Sequence, residues 1–335
     1  MKAVIQRAYG GPETYTLGDL PIPEPRAGEV RVRVHAASLH PDIWHVMTGQ
    51  PHLLRIMGSG LSRPKVAIPG TDLAGVVDAV GSQATRHRLG ERVFGEASVG
   101  HQWKNAGTFA EYVCVRETAL AAIPEQASFE QAAALPTAGF IALQVVRGEG
   151  QVRSGQRVLI NGAGGGVGTL ALQLARAYGA AVTAVDSAEK HPLLRELGAS
   201  RCIDYRQENY TTLGERYDVI IDVPGNYSFS SNRRALCPGG IYVLVGHDGF
   251  GATRGKWLGT VPYAISLLLR SIWNSQLSGL RGAMPAPDRL ETLRALLETG
   301  QVRPHIGRTF RLEDVREAMV ALMQSTTVGR IVLTI

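Results

Sequence analysis

A glycine-rich turn between a strand and a helix constrains the fold of this chain more than any other feature. Residues 157–160 have the apolar character of a buried strand, they lead directly into the turn at 161–168, and a helical pattern follows. The diphosphate of a dinucleotide needs backbone without Cβ atoms in its way and several N–H groups at a helix N-terminus. Ala163, Gly165 and Gly168 supply the spacing of such a turn, which in this context predicts a dinucleotide site.

The pattern on either side of the turn predicts the surrounding fold. Strand patterns at 181–185, 217–222 and 241–245 alternate with helical patterns, which is typical of a parallel sheet with helices on both faces. Ser128 and Gln131 have the spacing of a capping box, and this part of the chain begins there. Upstream of them the chain consists of short alternating segments broken by glycine and proline, which predicts a β-rich part.

Composition narrows the class of protein. A length of 335 residues predicts about two domains. With 44% hydrophobic and 19% charged residues, the chain has the composition of a globular protein. The formal charge is +6, but the basic residues are scattered and do not alternate with aromatic residues, so we expect no nucleic-acid partner. The N-terminus has no apolar run typical of a signal peptide, which makes the cytoplasm the expected location.

The longest apolar stretch covers residues 257–273 and is interrupted by Pro262, Ser266 and Arg270. A membrane span needs about 20 apolar residues, so this stretch is too short and too broken to predict one. We expect a buried or interface helix here. A lid over a hydrophobic substrate is the alternative.

The residues after the second strand of the alternation bear on which dinucleotide binds. Asp186 lies 18 residues after Gly168, at the place where an acidic residue holds the ribose hydroxyls of NAD and repels a 2′-phosphate. Ser187, Lys190 and Arg206 nearby offer a hydroxyl and two cations that a phosphate would meet. Charge counting therefore leaves the choice between NAD(H) and NADP(H) open.

Four segments spread over the chain carry a resemblance to a known family: GTDLAGVV at 70–77, GTFAEYV at 107–113, GAGGGVG at 162–168 and VGRIVL at 328–333. Together they resemble the medium-chain dehydrogenase/reductase superfamily, and the chain is most similar to its zinc-independent quinone oxidoreductase branch. The resemblance implies an α/β fold. A GroES-like, β-rich catalytic domain would cover 1–126 and 284–335, and a Rossmann domain with a doubly wound parallel sheet would cover 127–283. The resemblance also implies an NAD(P)H cofactor and a homodimer.

The resemblance also names the residues expected at the cofactor. Lys190 and Tyr205 stand at the positions that usually contact the 2′-phosphate in this branch, so the balance favours NADP(H) over NAD(H). Later contacts are expected from loops after strands and from the tail. The predicted cofactor-binding residues are Gly162, Ala163, Gly164, Gly165, Gly166, Val167, Asp186, Ser187, Lys190, Tyr205, Val223, Gly225, Val245, Gly246, Gly329 and Arg330.

Zinc-dependent relatives hold a catalytic zinc with a Cys and a His from two loops, and neither ligand is present here. Residues 38–42 contain no Cys, and residues 70–72 contain no His. The four-Cys structural lobe is also missing, since Cys114 stands alone in its region. We therefore expect no metal. Other side chains of ligating type in or near these stretches are His40, Asp42, His45 and Asp72.

The missing zinc ligands bear on the reaction. Hydride transfer to a simple carbonyl leaves an alkoxide, which zinc usually stabilises as a Lewis acid. In a conjugated acceptor the charge spreads to an oxygen, where a hydrogen-bond donor suffices. We therefore predict an NAD(P)H-dependent oxidoreductase that transfers hydride to a quinone or an enone, with a small hydrophobic carbonyl compound as substrate.

The predicted catalytic residues are His40, Trp44 and Thr137. His40 stands where the branch often has Asn, and it would donate to the substrate oxygen or supply a proton. Trp44 would line the pocket. Thr137 lies one helical turn before Ile141, which occupies the place of a Thr that is common near the nicotinamide.

Two alternatives stay open. The first is an NAD(P)-dependent alcohol dehydrogenase that uses His40 as its acid and base. The second is a cofactor-binding protein of low catalytic activity, because apolar Ile43 and Ile141 replace polar residues of the branch.

Overall fold

The computed structural model describes residues 1–98, 104–247, 255–278 and 286–335. The chain divides into two compact units. The first unit combines Met1–Ala138 with Pro285–Ile335, and the second is Gly139–Met284. The second unit therefore interrupts the first in sequence. The domain limits expected above, after residues 126 and 283, stay a prediction.

The first unit is built on a mostly antiparallel sheet. Its strands within the described residues are β1 (Lys2–Gln6), β2 (Tyr15–Asp19), β3 (Glu29–Leu39), β4 (Asp72–Val80), β5 (Arg92–Glu96), β6 (Tyr112–Arg116), β7 (Leu120–Ala122), β13 (Ile306–Arg311) and β14 (Arg330–Thr334). Seven of these form one sheet in the order β13-β14-β3-β4-β5-β7, with β6 also paired to β3. The C-terminal strand β14 thus lies beside β3 from the start of the chain.

Strand β3 shows how the sequence pattern produces this sheet. Val30, Val32 and Val34 are buried, whereas Arg31 and Arg33 between them point to the other face. The buried valines join a core that β4, β5 and β6 complete. The predicted strand is confirmed, and it continues to Leu39.

The helices of the first unit are α1 (Asp42–Thr48), α2 (Phe129–Ala133), α8 (Ala286–Glu298) and α9 (Val315–Gln324), and α3 (Pro136–Leu143) begins in it. Helix α3 continues past the division into the second unit. The predicted capping box begins α2. The Ser128 hydroxyl accepts from the Gln131 N–H, and the Gln131 side chain accepts from the Ser128 N–H, both at 3.1 Å.

The second unit contains a parallel sheet of five strands among the described residues. The strands are β8 (Arg157–Asn161), β9 (Ala181–Asp186), β10 (Arg201–Asp204), β11 (Tyr217–Asp222) and β12 (Leu236–Leu244), in the order β10-β9-β8-β11-β12. Its helices are α4 (Gly166–Ala177), α5 (His191–Glu196), α6 (Phe229–Arg234) and α7 (Val261–Ser271).

The order of these strands creates a switch point in the sheet. The chain runs from β8 outward to β10, then returns to β11 on the other side of β8. Val158, Leu159 and Ile160 in β8 are all fully buried, as expected for a strand covered on both faces. The sheet is therefore doubly wound, with its switch point between β8 and β11. Open α/β sheets bind ligands at the carboxyl ends of the strands beside such a point.

The apolar stretch that we expected to be a buried or interface helix forms α7. Leu267 is its one buried residue. Ile265 and Leu269 are about half exposed, so burial within the chain does not explain their apolar character. No helix in the described ranges is long and apolar enough to cross a bilayer.

Candidate active site

The glycine turn is as the sequence predicted. Strand β8 ends at Asn161 and α4 begins at Gly166. Gly162 has a φ of 78°, in the left-handed region that favours glycine. A Cβ on Gly168 would lie 2.2 Å from the carbonyl oxygen of Gly162, so only glycine lets the helix pack so closely on the turn. A Cβ on Gly165, in contrast, would meet no heavy atom nearer than 3.6 Å.

The start of α4 fits an anionic group. Gly165 has extended backbone, and no side chain caps the helix there. First-turn N–H groups lack partners within a helix and carry the positive end of its dipole. A diphosphate fits this arrangement. Packing leaves room for a Cβ at Gly165, so contacts with the described residues do not require a glycine there. The predicted residues of this turn are Gly162, Ala163, Gly164, Gly165, Gly166 and Val167, which lie together here.

Both carboxylate oxygens of Asp186, at the end of β9, contact other groups of the protein. Its Oδ2 accepts from the Gly164 N–H at 2.8 Å, and its Oδ1 accepts from the Ser187 N–H at 2.9 Å. Lys190 Nζ lies 3.1 Å from Oδ1, and both side chains of this pair are largely buried. The structure thus brings Asp186, Ser187 and Lys190 together beside the turn. Tyr205 is half exposed after β10.

A second buried carboxylate, Asp222, lies at the switch point at the end of β11. Its Oδ1 accepts from Asn161 Nδ2 at 2.8 Å and from the Gly225 N–H at 3.0 Å. Its Oδ2 accepts from the Tyr242 hydroxyl at 2.9 Å. Asn161 Nδ2 also donates to Asn226 Oδ1 at 2.9 Å. We call these five residues the Asp222 cluster. Burial raises the pKa of the Asp222 carboxyl, while the donors around it act in the opposite direction.

The Asp222 cluster joins the loops that were expected to contact the cofactor. The Val223 N–H donates to the Asn161 carbonyl at 3.0 Å, and the Val245 N–H donates to the Asp222 carbonyl at 2.9 Å. A Cβ on Gly246 would lie 2.9 Å from the Val223 carbonyl oxygen. The predicted residues Val223, Gly225, Val245 and Gly246 therefore lie at the carboxyl edge of the sheet, beside the glycine turn.

In the first unit, a cluster of polar side chains surrounds Asp72 at the start of β4. The Ser38 hydroxyl donates to Asp72 Oδ2 at 2.9 Å, and Arg330 Nη2 lies 3.1 Å from the same oxygen. The Thr137 hydroxyl donates to Oδ1. We call Asp72, Ser38, Thr137 and Arg330 the Asp72 cluster. All four are buried. Burial lowers the pKa of Arg330, and the charge of Asp72 opposes that change.

His40 adjoins this cluster through Thr71. Its Nε2 lies 2.8 Å from the Thr71 hydroxyl, which is 3.5 Å from Asp72 Oδ1. Its Nδ1 lies 3.3 Å from Asp42 Oδ2 at the start of α1. The imidazole is 2% exposed and the Asp42 side chain 39% exposed. A chain of polar groups thus leads from the surface at Asp42 through His40 to Thr71.

The other residues predicted at the reaction centre have mixed placements. Trp44 is buried on α1, with its ring edge against His45. Thr137 and Arg330 both contact Asp72, although nothing in the sequence pattern predicted that they lie close together. Gly329 has a φ of 70° and lies so near the His305 carbonyl that a Cβ would approach within 2.2 Å. The roles of all four in catalysis or cofactor binding stay predictions.

Comparison with known proteins identifies the family. Residues 26–125 match the alcohol dehydrogenase GroES-like domain, and residues 197–333 match the zinc-binding dehydrogenase family. A quinone oxidoreductase from Pseudomonas aeruginosa is 31% identical over 340 residues, which covers 97% of each chain. The protein belongs to the medium-chain dehydrogenase/reductase superfamily, in its quinone oxidoreductase-like branch. The resemblance and the predicted fold class are confirmed.

Further relatives of this superfamily bear on the reaction. An NADPH-dependent alkenal/one oxidoreductase from Arabidopsis thaliana is 36% identical over 234 residues, which covers 67% of this chain and 58% of that protein. The solved structure of the quinone oxidoreductase from Coxiella burnetii is 29% identical, with a TM-score of 0.84 over 100% of this chain and 99% of that one. An NAD-dependent alcohol dehydrogenase structure is 30% identical, with a TM-score of 0.81 over the full length of both chains.

One matching family is described as zinc-binding, so the potential ligands matter. The described residues contain no group of three or more His, Cys, Asp or Glu side chains placed to hold a metal ion. Two of the side chains weighed as ligands have other contacts. His45 Nδ1 lies 2.7 Å from the Gln50 carbonyl oxygen, and Asp72 is paired with Arg330. The expectation that this member of the superfamily works without zinc stays a prediction.

Sequence reasoning missed the two carboxylates as organising residues. Asp72 was considered only as a metal ligand, and Asp222 only as the last residue of a predicted strand before a loop. The available signal was position: Asp222 ends a buried strand at the switch point, where an acid needs several donors around it. For Asp72 the sequence offers no local signal, because its partners lie 34, 65 and 258 residues away.

Proposed function

We propose that this protein is an NAD(P)H-dependent oxidoreductase that transfers hydride to a conjugated carbonyl compound, a quinone or an enone. The observation that carries this proposal is the start of α4 at Gly165, where no side chain caps the helix. It lies at the switch point of a doubly wound sheet. When bound, the nicotinamide supplies a hydride from its C4 position. Two of the relatives named above are a quinone oxidoreductase and an alkenal/one oxidoreductase, which supports the same substrate class here.

The surroundings of Asp186 support NADP(H) as the cofactor. A carboxylate presented to the ribose would repel a 2′-phosphate, but Asp186 is paired with Lys190 and bonded to the Gly164 N–H. The pairing cancels most of the repulsion and leaves an ammonium group near the expected position of the phosphate. Tyr205 and Ser187 would add hydroxyl groups. The Arabidopsis relative is NADPH-dependent, which agrees with this preference.

The first unit supports a proton-donating role for His40. Hydride addition to an enone leaves negative charge on the carbonyl oxygen, which a hydrogen-bond or proton donor stabilises. His40 lies between Asp42, which is partly exposed, and the Thr71 hydroxyl. In this role His40 holds a proton for the reduced substrate, and Asp42 accepts and returns protons at the surface. The hydrophobic carbonyl substrate, homodimeric assembly and cytoplasmic location belong to the same proposal.

Gly165 offers the sharpest test, because a Cβ there is tolerated by the protein and would intrude only on a bound diphosphate. We expect the wild type to bind NADPH, measured by its fluorescence, and to oxidise it with a panel of quinones and enones. Gly165→Ala should keep the thermal midpoint of the wild type and weaken NADPH binding by about tenfold or more.

Gly11→Ala is the matched control. Gly11 precedes a short helical turn with similar extended backbone, and a Cβ there would meet only the flexible end of the Glu13 side chain. We expect this variant to bind NADPH as the wild type does. Absence of binding to both NADPH and NADH at millimolar concentration in the wild type would refute the proposal. NADPH binding without turnover on the whole panel would favour the alternative of a cofactor-binding protein.

A further inference from the structure

Helix α7 presents apolar residues on the side that faces away from the protein. Ile265, Leu268, Leu269 and Ile272 are exposed and recur at intervals of three and four residues, so they share one face. We call these four residues the outer face of α7. Leu267 lies on the opposite side, where it joins the core beneath the sheet. The helix therefore has one apolar side that packs against its own unit and a second that is exposed among the described residues.

Tryptophans stand at both ends of this face. Trp257, just before the helix, is 70% exposed, and Trp273, just after it, is 84% exposed. Tryptophan has a large apolar ring and an N–H donor, and it concentrates where an apolar medium meets water. Exposed indoles at both ends of an apolar face are typical of helices that lie in the surface of a bilayer.

The sequence that contains α7 carries charge of a single sign. Lys256 and Arg270 are both exposed. From Asp248 to Asp288 the sequence has four basic residues between these two acids and no Asp or Glu among them. Cations near the surface of an anionic bilayer strengthen binding to it. A second copy of this surface would bring like charges together, with no acid in the segment to pair with them.

We propose that the outer face of α7, with Trp257 and Trp273, docks the protein onto an anionic lipid bilayer. The helix has 11 residues, too few to cross the bilayer, and it would lie parallel to the surface with its apolar side in the headgroup region. The inference stands independently of the proposed reaction. If both hold, the reductase works where hydrophobic quinones and enones are dissolved.

Sedimentation with vesicles tests the proposal on the unmodified protein. We expect the wild type to sediment with vesicles of phosphatidylcholine that contain about one third phosphatidylglycerol, and much less with pure phosphatidylcholine. Added salt should weaken the interaction. Tryptophan emission should shift to shorter wavelength on binding, and the shift should be smaller in Trp273→Phe.

Two pairs of substitutions separate the apolar and charged contributions. Ile265→Ser with Leu269→Ser should weaken vesicle binding by about tenfold or more. Lys256→Gln with Arg270→Gln should weaken it by about twenty-five-fold, since each cation near an anionic surface contributes about a factor of five. The control pair, Ile56→Ser with Leu89→Ser, removes two aliphatic side chains of similar exposure from the first unit and should bind as the wild type does.

Three results would overturn the proposal. One is no sedimentation of the wild type with either vesicle. Another is equal loss of binding in the control pair and in the Ile265/Leu269 pair, with circular dichroism spectra unchanged in both. The third is a wild type that ignores vesicles but forms a dimer in light scattering that the Ile265/Leu269 pair disrupts, in which case the outer face contacts a second copy.

Discussion

The two units each contain a carboxylate that is wholly buried, yet the two are stabilised in different ways. Asp72 in the first unit faces a buried guanidinium, Arg330, as well as hydroxyl donors. Asp222 in the second unit faces donors that are all neutral in the described structure, from Asn161, Tyr242 and the backbone of Gly225. A buried ion needs either a partner charge or several hydrogen bonds, and this molecule uses one solution in each unit.

The difference shows which parts of the chain each carboxylate connects. Asp72 links β4 to β3 through Ser38, to α3 through Thr137 and to the C-terminal strand through Arg330. It therefore joins the two separate pieces of chain that make the first unit. Asp222 links the loops after β8 and β11 at the switch point. Its role is local, since it positions backbone near the expected cofactor.

The largest effect is expected from Asp72→Asn, which leaves Arg330 buried without a partner charge. Loss of one member of a buried ion pair costs about 3–5 kcal/mol, and we expect the free energy of unfolding of the first unit to fall by that amount. Urea denaturation followed by circular dichroism measures it.

Asp78→Asn is the control on the same strand. Asp78 pairs with Arg31 at 2.7 Å, but its side chain is 35% exposed, so the loss should stay below about 1 kcal/mol. Equal losses in the two variants would show that burial does not distinguish the two ion pairs.

Next in size is the effect of His40→Asn on turnover. Asn is the residue that the branch often carries here, and it keeps a hydrogen-bonding group near Thr71 but cannot supply a proton near neutral pH. A positioned general acid contributes about a hundredfold or more, so kcat with an enone should fall by about that factor. The dissociation constant of NADPH, measured by fluorescence, should not change. Full turnover in the variant would remove His40 as the proton source.

How far the sequence predicts these sites depends on how local they are. The glycine turn is contiguous, and a strand, a turn and a helix in series determine its shape, so its residues and their arrangement were predictable. The strand pattern of β3 was predictable for the same reason. The Asp72 cluster draws its residues from four separate segments, and no spacing rule links Thr137 to a strand that begins 65 residues earlier.

The orientation of α7 shows a different limit. The apolar residues of the stretch at 257–273 predicted a helix, which the structure contains. An apolar periodicity does not say which side of a helix meets the core when both sides are apolar. Leu267 faces inward and Ile265 outward, and only tertiary packing distinguishes them.

A smaller effect is expected from Asp222→Asn, which tests the buried carboxylate that is surrounded by neutral donors. An amide would turn its NH₂ group toward donors that now bond to a carboxylate oxygen, which costs about 1–3 kcal/mol. Burial in the folded state raises the pKa of Asp222 above its ordinary 3.8. The stability that this shift contributes is therefore fully present below pH 3.8. It is lost as the pH rises through the folded-state pKa. The deficit of the variant should therefore be greatest in acid, as measured by urea denaturation at several pH values.

The control for this variant is Asp218→Asn on the same strand. The Asp218 carboxylate accepts from the Arg157 N–H at an exposed position, where water replaces a lost hydrogen bond. We expect little change in stability at any pH. If the deficit of Asp222→Asn grew with rising pH, burial would not govern the titration of that carboxyl.

The smallest effect is expected from Glu189→Gln. Glu189 is an exposed carboxylate, and its effect on stability is the reference for the effects of the two buried ones. Hydrogen bonds from its own backbone N–H, from Ser187 and from Arg206 lower its pKa to about 2. The stability that it contributes is present above its ordinary pKa of 4.5 and is lost as the pH falls toward about 2. Wild type and variant should therefore differ slightly at neutral pH and converge in acid, measured by thermal unfolding. A loss at neutral pH as large as that of Asp72→Asn would mean that partner charge, rather than burial, sets the importance of an acid in this fold.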